Sequence, residues 1–257
     1  MNPVYSREDV RAILEKTLLD MPSVIAAVEG GSAATGYLDR YSDLDLEVVC
    51  EDDAVETVID RITETLAERF GILRMFRVPE PAWHGFSQVF YQVDRVPPLY
   101  YIDFAVIKRS IPDKFTETDR HGHAVVWFER EHVLVETQSS SSDILARGKR
   151  LFKQATSTDF LMVLETRKNI ARGNFTEAFP NFYRFLAAHL GVLLNLKHRP
   201  AKADFGLRYS YRDYPEADHA LVQAAMQVSN LAELSATFDL LVSRFEALKA
   251  ELAADWS

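Results

Sequence analysis

A single cysteine in 257 residues excludes an internal disulfide and any zinc site built from several thiolates. Cys50 closes an apolar run, where a free thiol behaves as a small buried hydrophobe. Long apolar runs are missing too. The best one, FLAAHLGVLLNL, is interrupted by His189 and Asn195 and falls short of the roughly 18 residues a bilayer span needs. It reads as a buried helix, and no membrane partner is expected. Positive charge is scarce: 29 Lys and Arg against 38 Asp and Glu give a net charge of -9. Gripping nucleic-acid phosphates without regard to sequence would need a local basic patch, so generic nucleic-acid binding is disfavoured. The opening MNPVYSREDV is charged and lacks an apolar core, which leads us to expect a cytoplasmic protein. Low complexity is confined to Ser139–Ser142, and no internal repeat is visible.

A hydrophobic share of 47% is ample for a folded core. In the first half, helical and strand patterns alternate. Residues 7–19 place Val10, Ile13, Leu14, Thr17 and Leu18 at helical spacing behind a potential Ser6 cap. Strands are expected over 24–28, 44–50, 72–78, 87–93 and 99–107, with an amphipathic helix over 54–70 ended by Gly71. A small hairpin is expected from 125–128 and 132–135. Beyond the serines, with Asp143 as a potential cap, the pattern is helical over 143–155, 159–172, 176–197, 215–228 and 231–254. The fold class is therefore α+β: a mixed-sheet domain, 1–138, followed by an all-α helical bundle, 143–257.

The chemistry concentrates in GGSAATGYLDRYSDLDL, residues 30–46. Gly31 and Ser32 close a strand and open a short helix, where backbone N–H groups and a hydroxyl can face a phosphate. Asp43 and Asp45 lie two apart on a strand, so their side chains leave one face while Leu44 and Leu46 point into the core. Oxygen ligands on a rigid strand suit magnesium, with manganese as the alternative. Clamping both the attacking and leaving oxygens calls for a third carboxylate. Asp103 is the candidate, a lone charge in the apolar run YYIDFAVI, where an unpaired carboxylate would be costly.

Gly31-Ser32, Ala34 and Gly36, followed after the ten residues 33–42 by Asp43-Leu44-Asp45-Leu46, resemble the signature of the polymerase-beta nucleotidyltransferase superfamily. The resemblance covers roughly residues 24–107 and departs at Thr35, where small bacterial members often carry arginine. It implies a strand order that brings Asp103 beside the pair, and a glycine-serine turn that holds a triphosphate. The layout, with its helical second half, is similar to aminoglycoside and lincosamide nucleotidyltransferases. That implies magnesium-dependent transfer of a nucleoside monophosphate, AMP from ATP by analogy, to a hydroxyl of a small molecule such as an antibiotic. In such enzymes the helical domain lends basic residues to the triphosphate; here Lys197, Arg199 and Lys202 are the candidates, in a stretch that also holds His198, Arg208 and Arg212. A competing reading is an antitoxin-like or regulatory member that uses the fold to bind a protein or RNA partner.

Other residues have plainer readings. Glu47 continues the Asp43 and Asp45 face and could support a metal or act as a base. Trp83 and His84 could stack on a ring or cap the core. His121 and His123 lack a third nitrogen ligand nearby, which argues against zinc. Arg184 and His189, spaced as in a ribonuclease motif, read as parts of an ordinary helix.

Overall fold

The computed structural model describes residues 5–82, 84–112 and 117–257, which divide into two compact units, Met1–Gln138 and Ser139–Ser257. The first unit begins with α1, Arg7–Leu19, capped as the sequence suggests: the Ser6 hydroxyl accepts from the Asp9 N–H and the Asp9 carboxylate accepts from the Ser6 N–H, a capping box. It continues through β1 (Val24–Glu29), α2 (Gly31–Ala34), β2 (Leu44–Cys50), α3 (Val55–Arg69), β3 (Ile72–Arg77), β4 (Ser87–Val93), β5 (Ile102–Lys108), α4 (Thr118–His121) and β6 (Val125–Glu129). Among the described residues the strands form one mixed sheet in the order β3-β4-β5-β2-β1-β6. Only β2 and β5 run parallel; the other pairs are antiparallel. A parallel pair needs a crossover, supplied here by α3 and the β3–β4 hairpin.

One face of this sheet is apolar at every second position. Leu44, Leu46 and Val48 on β2 and Ile102, Phe104 and Val106 on β5 pack with Val10, Leu14 and Leu18 of α1 and Val58, Ile62 and Leu66 of α3. Each fully buried aliphatic side chain of this kind contributes about 1.5–3 kcal/mol. The period of two then forces Asp45, Glu47 and Asp103 onto the opposite face. That face has its own small core, in which Ile25, Val49, Phe86, Ala105 and Ile107 meet Ile111, Val133 and Leu134. Residues 132–135 form no strand, against the hairpin expected from sequence. Instead the backbone N–H groups of Val133 and Leu134 donate to the Glu129 carboxylate, and β6 pairs with β1. The β5 strand also starts three residues later than expected, because Leu99 has φ +73° and Tyr100 closes a turn onto Pro97.

The second unit is helical: α5 (Ser141–Ser157), α6 (Asp159–Ala171), α7 (Phe175–Phe185), α8 (Gly191–His198), α9 (Ser210–Asp213), α10 (Glu216–Ala225) and α11 (Leu231–Trp256). The cap of α5 is Ser140, whose hydroxyl accepts from the Asp143 N–H, so Asp143 occupies the first turn rather than the cap. Phe182, Phe185, Leu190 and Leu194 pack on Phe238, Leu241 and Phe245 of α11. The single helix expected over 176–197 is broken by a π-helical turn, Leu186–Leu190. Within that turn His189 is buried, stacks on Phe185 and donates from Nδ1 to the Ala155 carbonyl at 2.7 Å. A Cβ on Gly148 would stand 2.1 Å from the Trp256 ring, so glycine there lets α5 accept the indole. No helix among the described residues is long and apolar enough to cross a membrane.

Candidate active site

Asp45 on β2 and Asp103 on β5 are direct partners in the parallel register. Asp43 precedes β2, and its charge raises the proton affinity of both. Burial, then Asp43, Asp103 and Glu29, push Asp45 up to about 7, with Arg7 pulling the other way. Burial, then Asp45 and Asp103, push Glu47 up to about 8. Asp103 is raised by burial, which outweighs the hydrogen bond that Gln88 Nε2 donates to its Oδ1 at 2.6 Å. His84 lies close enough to Asp103 to oppose that rise. Partly buried carboxylates that raise one another's pKa are held at a cost, and a cation would offset it.

The β1 strand turns directly into α2 beside this cluster. The Gly30 N–H donates to the Asp45 carbonyl at 2.9 Å. Gly31 has φ +54°, and a Cβ there would stand 1.7 Å from Oδ2 of Asp45, so only glycine lets the turn approach the carboxylate this closely. Ser32 Oγ is buried and makes no hydrogen bond, an uncommon condition for a hydroxyl and one that a ligand oxygen would relieve. Thr35 Oγ1 donates to the Gly31 carbonyl at 3.0 Å, closing the short helix.

Among the described residues no three His, Cys, Asp or Glu side chains are drawn together as a ready cage. Magnesium does not require one, since it takes one or two carboxylates and completes its shell with water and substrate phosphates. The all-oxygen donor set of Asp43, Asp45 and Asp103, beside the orphaned Ser32 hydroxyl, fits that ion.

Two supporting residues lie outside the motif. Arg7 of α1 pairs with Glu29, which is 1% exposed and also accepts from Trp127 Nε1 at 3.4 Å. Arg7 Nη2 donates in addition to the Asp43 carbonyl at 3.2 Å, tying the entry of β2 to β1 and α1. Tyr101, two residues before Asp103, is raised by burial and by its hydrogen bond with Asp43. Period-two reading of β5 backwards from Asp103 would have found Tyr101; Arg7 is invisible because its contact spans the fold.

The remaining candidates fall as follows. His84 accepts from the Phe86 N–H at 3.0 Å, and Trp83 lies outside the described residues. His123 sits beside Glu136 on the surface, and His121 lies near Glu117. In the second unit, Lys197 pairs with Glu251 at 2.8 Å, and Lys202 ends a 3-10 turn, Pro200–Lys202. Arg199 is not the open cation that its loop position suggests. It is 8% exposed, and its guanidinium donates to Asn195 Oδ1, the Arg208 and Gly206 carbonyls and Asp213 Oδ2. Four of its five N–H donors are used in folding the 199–214 loop, which favours a structural role.

No family model matches the chain, and no curated protein matches it. Among solved structures it is similar to spectinomycin adenyltransferase AAD(9) from Enterococcus faecialis, solved with ATP and spectinomycin, at 13% identity and a TM-score of 0.31, covering 92% of this chain and 96% of that one. It is also similar to a cytoplasmic RNA terminal U-transferase at 14% identity and a TM-score of 0.27, covering 90% of this chain and 61% of that one.

Proposed function

We propose that this chain transfers a nucleoside monophosphate from a nucleoside triphosphate, ATP by analogy, to a hydroxyl of a small molecule. The observation that carries the reading is the meeting of Asp45, Asp103 and the Gly31-Ser32 turn on one face of the sheet. Asp43, Asp45 and Asp103 would hold magnesium, or manganese. The ion, when bound, neutralises phosphate charge and polarises the attacking and leaving oxygens.

The chain's own groups supply the rest. The Ser32 hydroxyl and the N–H groups of the turn bind the phosphates. The acceptor hydroxyl attacks the α-phosphorus and forms a new P–O bond. The bridging P–O bond to the β-phosphate breaks, pyrophosphate leaves with the electron pair, and a carboxylate of the cluster receives the hydroxyl proton. Positioning and charge neutralisation carry most of the rate. Lys197 and Lys202, the other two basic candidates of the second unit, would assist with the triphosphate. An antibiotic acceptor is one case of this reaction, and action in the cytoplasm suits its substrates.

The test is incubation with labelled triphosphates, magnesium and a panel of hydroxyl acceptors that includes aminoglycosides, lincosamides and nucleotides. Labelled product with release of pyrophosphate is expected. Tight capture of a protein or RNA without any turnover would instead favour the antitoxin-like reading.

A further inference from the structure

The reaction proposed above uses Asp43, Asp45, Asp103 and the Gly31-Ser32 turn, and leaves the other half of the same sheet face without a task. That half carries a strip of rings. Phe76 on β3 and Phe90 on β4 lie 6.4 Å apart between centroids at 21°, and Phe90 lies 6.3 Å from Tyr101 at 45°. Phe90 is the register partner of Asp103, and Phe76 that of Phe90, so the strip runs from the carboxylates to the β3 edge. Phe76 and Tyr101 are open to solvent, 58% and 40% exposed, and Phe90 between them is half-buried. Aromatic rings left exposed in a row are a stacking platform rather than a core.

Strand order assigns the two sides of the carboxylates. The Gly31-Ser32 turn follows β1, on one side of the Asp45–Asp103 pair, whereas the strip lies on β4 and β3, on the other. An in-line displacement places the attacking and leaving oxygens on opposite sides of the phosphorus. With the triphosphate at the turn, the strip is where the acceptor belongs.

Charge selects the kind of acceptor. Neither β3, ILRMFR, nor β4, SQVFYQV, contains an acidic residue. Arg74 pairs in register with Gln92, shares the face of Phe76 and has no ion-pair partner among the described residues. A polycationic sugar would find a cation and no carboxylate on either strand, while a flat neutral or anionic ring would find stacking surface and a compatible charge.

Resting on the nucleotidyl-transfer reading, we propose that the Phe76–Phe90–Tyr101 strip is the acceptor subsite, and that the acceptor carries a heteroaromatic ring of the nucleoside class with its hydroxyl turned toward Asp103.

The experiment uses the full chain and three titrations: uridine alone, an aminoglycoside alone, and magnesium with a non-hydrolysable triphosphate. Phe90→Leu and Phe76→Leu remove the ring and keep an apolar side chain, and melting curves check that both variants fold. Wild type is expected to bind uridine in preference to the aminoglycoside. Both variants should weaken uridine binding by about tenfold or more while triphosphate affinity stays within about twofold of wild type. Uridine binding that is absent in wild type, unchanged in the folded variants, or weaker than aminoglycoside binding overturns the assignment. Triphosphate affinity that falls together with uridine affinity also overturns it, since the strip would then hold the donor's base. Failure of wild type to bind any triphosphate sinks the nucleotidyl-transfer reading by itself, and the uridine titration still judges the strip.

Discussion

The space that a side chain on Gly31 would need is taken by the carboxylate of Asp45, whose Oδ2 lies 1.7 Å from the ideal Cβ position. The turn proposed to face the phosphates and the strand that carries the proposed metal ligand are thereby fixed to each other. Gly31→Ala should cost about 1–2 kcal/mol from the left-handed backbone alone and push Asp45 aside as well. Urea unfolding should show the loss, and calorimetry should show triphosphate binding abolished. A variant that binds the triphosphate normally would mean that the turn and Asp45 act independently.

The acidic cluster makes the metal-free protein sensitive to pH. Asp45, raised from 3.8 to about 7, and Glu47, raised from 4.5 to about 8, have folded-state values above their ordinary ones. Each contributes stability that is fully present below its ordinary value and is lost as pH rises through the folded value. Melting temperature in EDTA should therefore fall between about pH 5 and pH 8. Magnesium should restore it, more at pH 8 than at pH 5, and Asp45→Asn should flatten the profile. A magnesium effect independent of pH would remove Asp45 from the ligand set.

Asp103→Asn keeps an oxygen to accept the Gln88 bond seen at 2.6 Å and removes one charge from the cluster. Folding should persist and melting temperature without metal should hold or rise, while transfer drops by about a hundredfold or more. An aspartate serving only Gln88 would show the reverse: lower stability and normal turnover per folded molecule.

Arg199 gives the opposite pattern. Its guanidinium satisfies Asn195, Asp213 and two carbonyls inside the second unit. Arg199→Ala should destabilise the protein by about 3–5 kcal/mol, the usual cost of breaking a buried pair. Denaturant midpoints measured beside triphosphate affinity of the remaining folded fraction test this. Unchanged stability with weakened triphosphate binding would return Arg199 to the phosphate.

The sequence by itself determined the elements whose physics is local. The period of two in LDLEVVC fixed both the β2 strand and the face on which Asp45 and Glu47 emerge. Helical spacing set α1 at residues 7–19, and glycines at 71 and 173 marked where helices stop. The break between Gln138 and Ser139 falls at the start of the serine run. Tertiary structure decided whatever depends on partners distant along the chain. It put Asp103 opposite Asp45 by parallel pairing across a crossover of more than fifty residues, and set Arg7 against Glu29 and the Asp43 carbonyl. It turned Arg199 inward, gave the 186–190 segment its π-helical turn around His189, and aligned Phe76, Phe90 and Tyr101 from three separate segments. Periodicity records which way a side chain points from its own backbone. Which strand lies beside it, and which loop encloses it, follows from the packing of the whole unit.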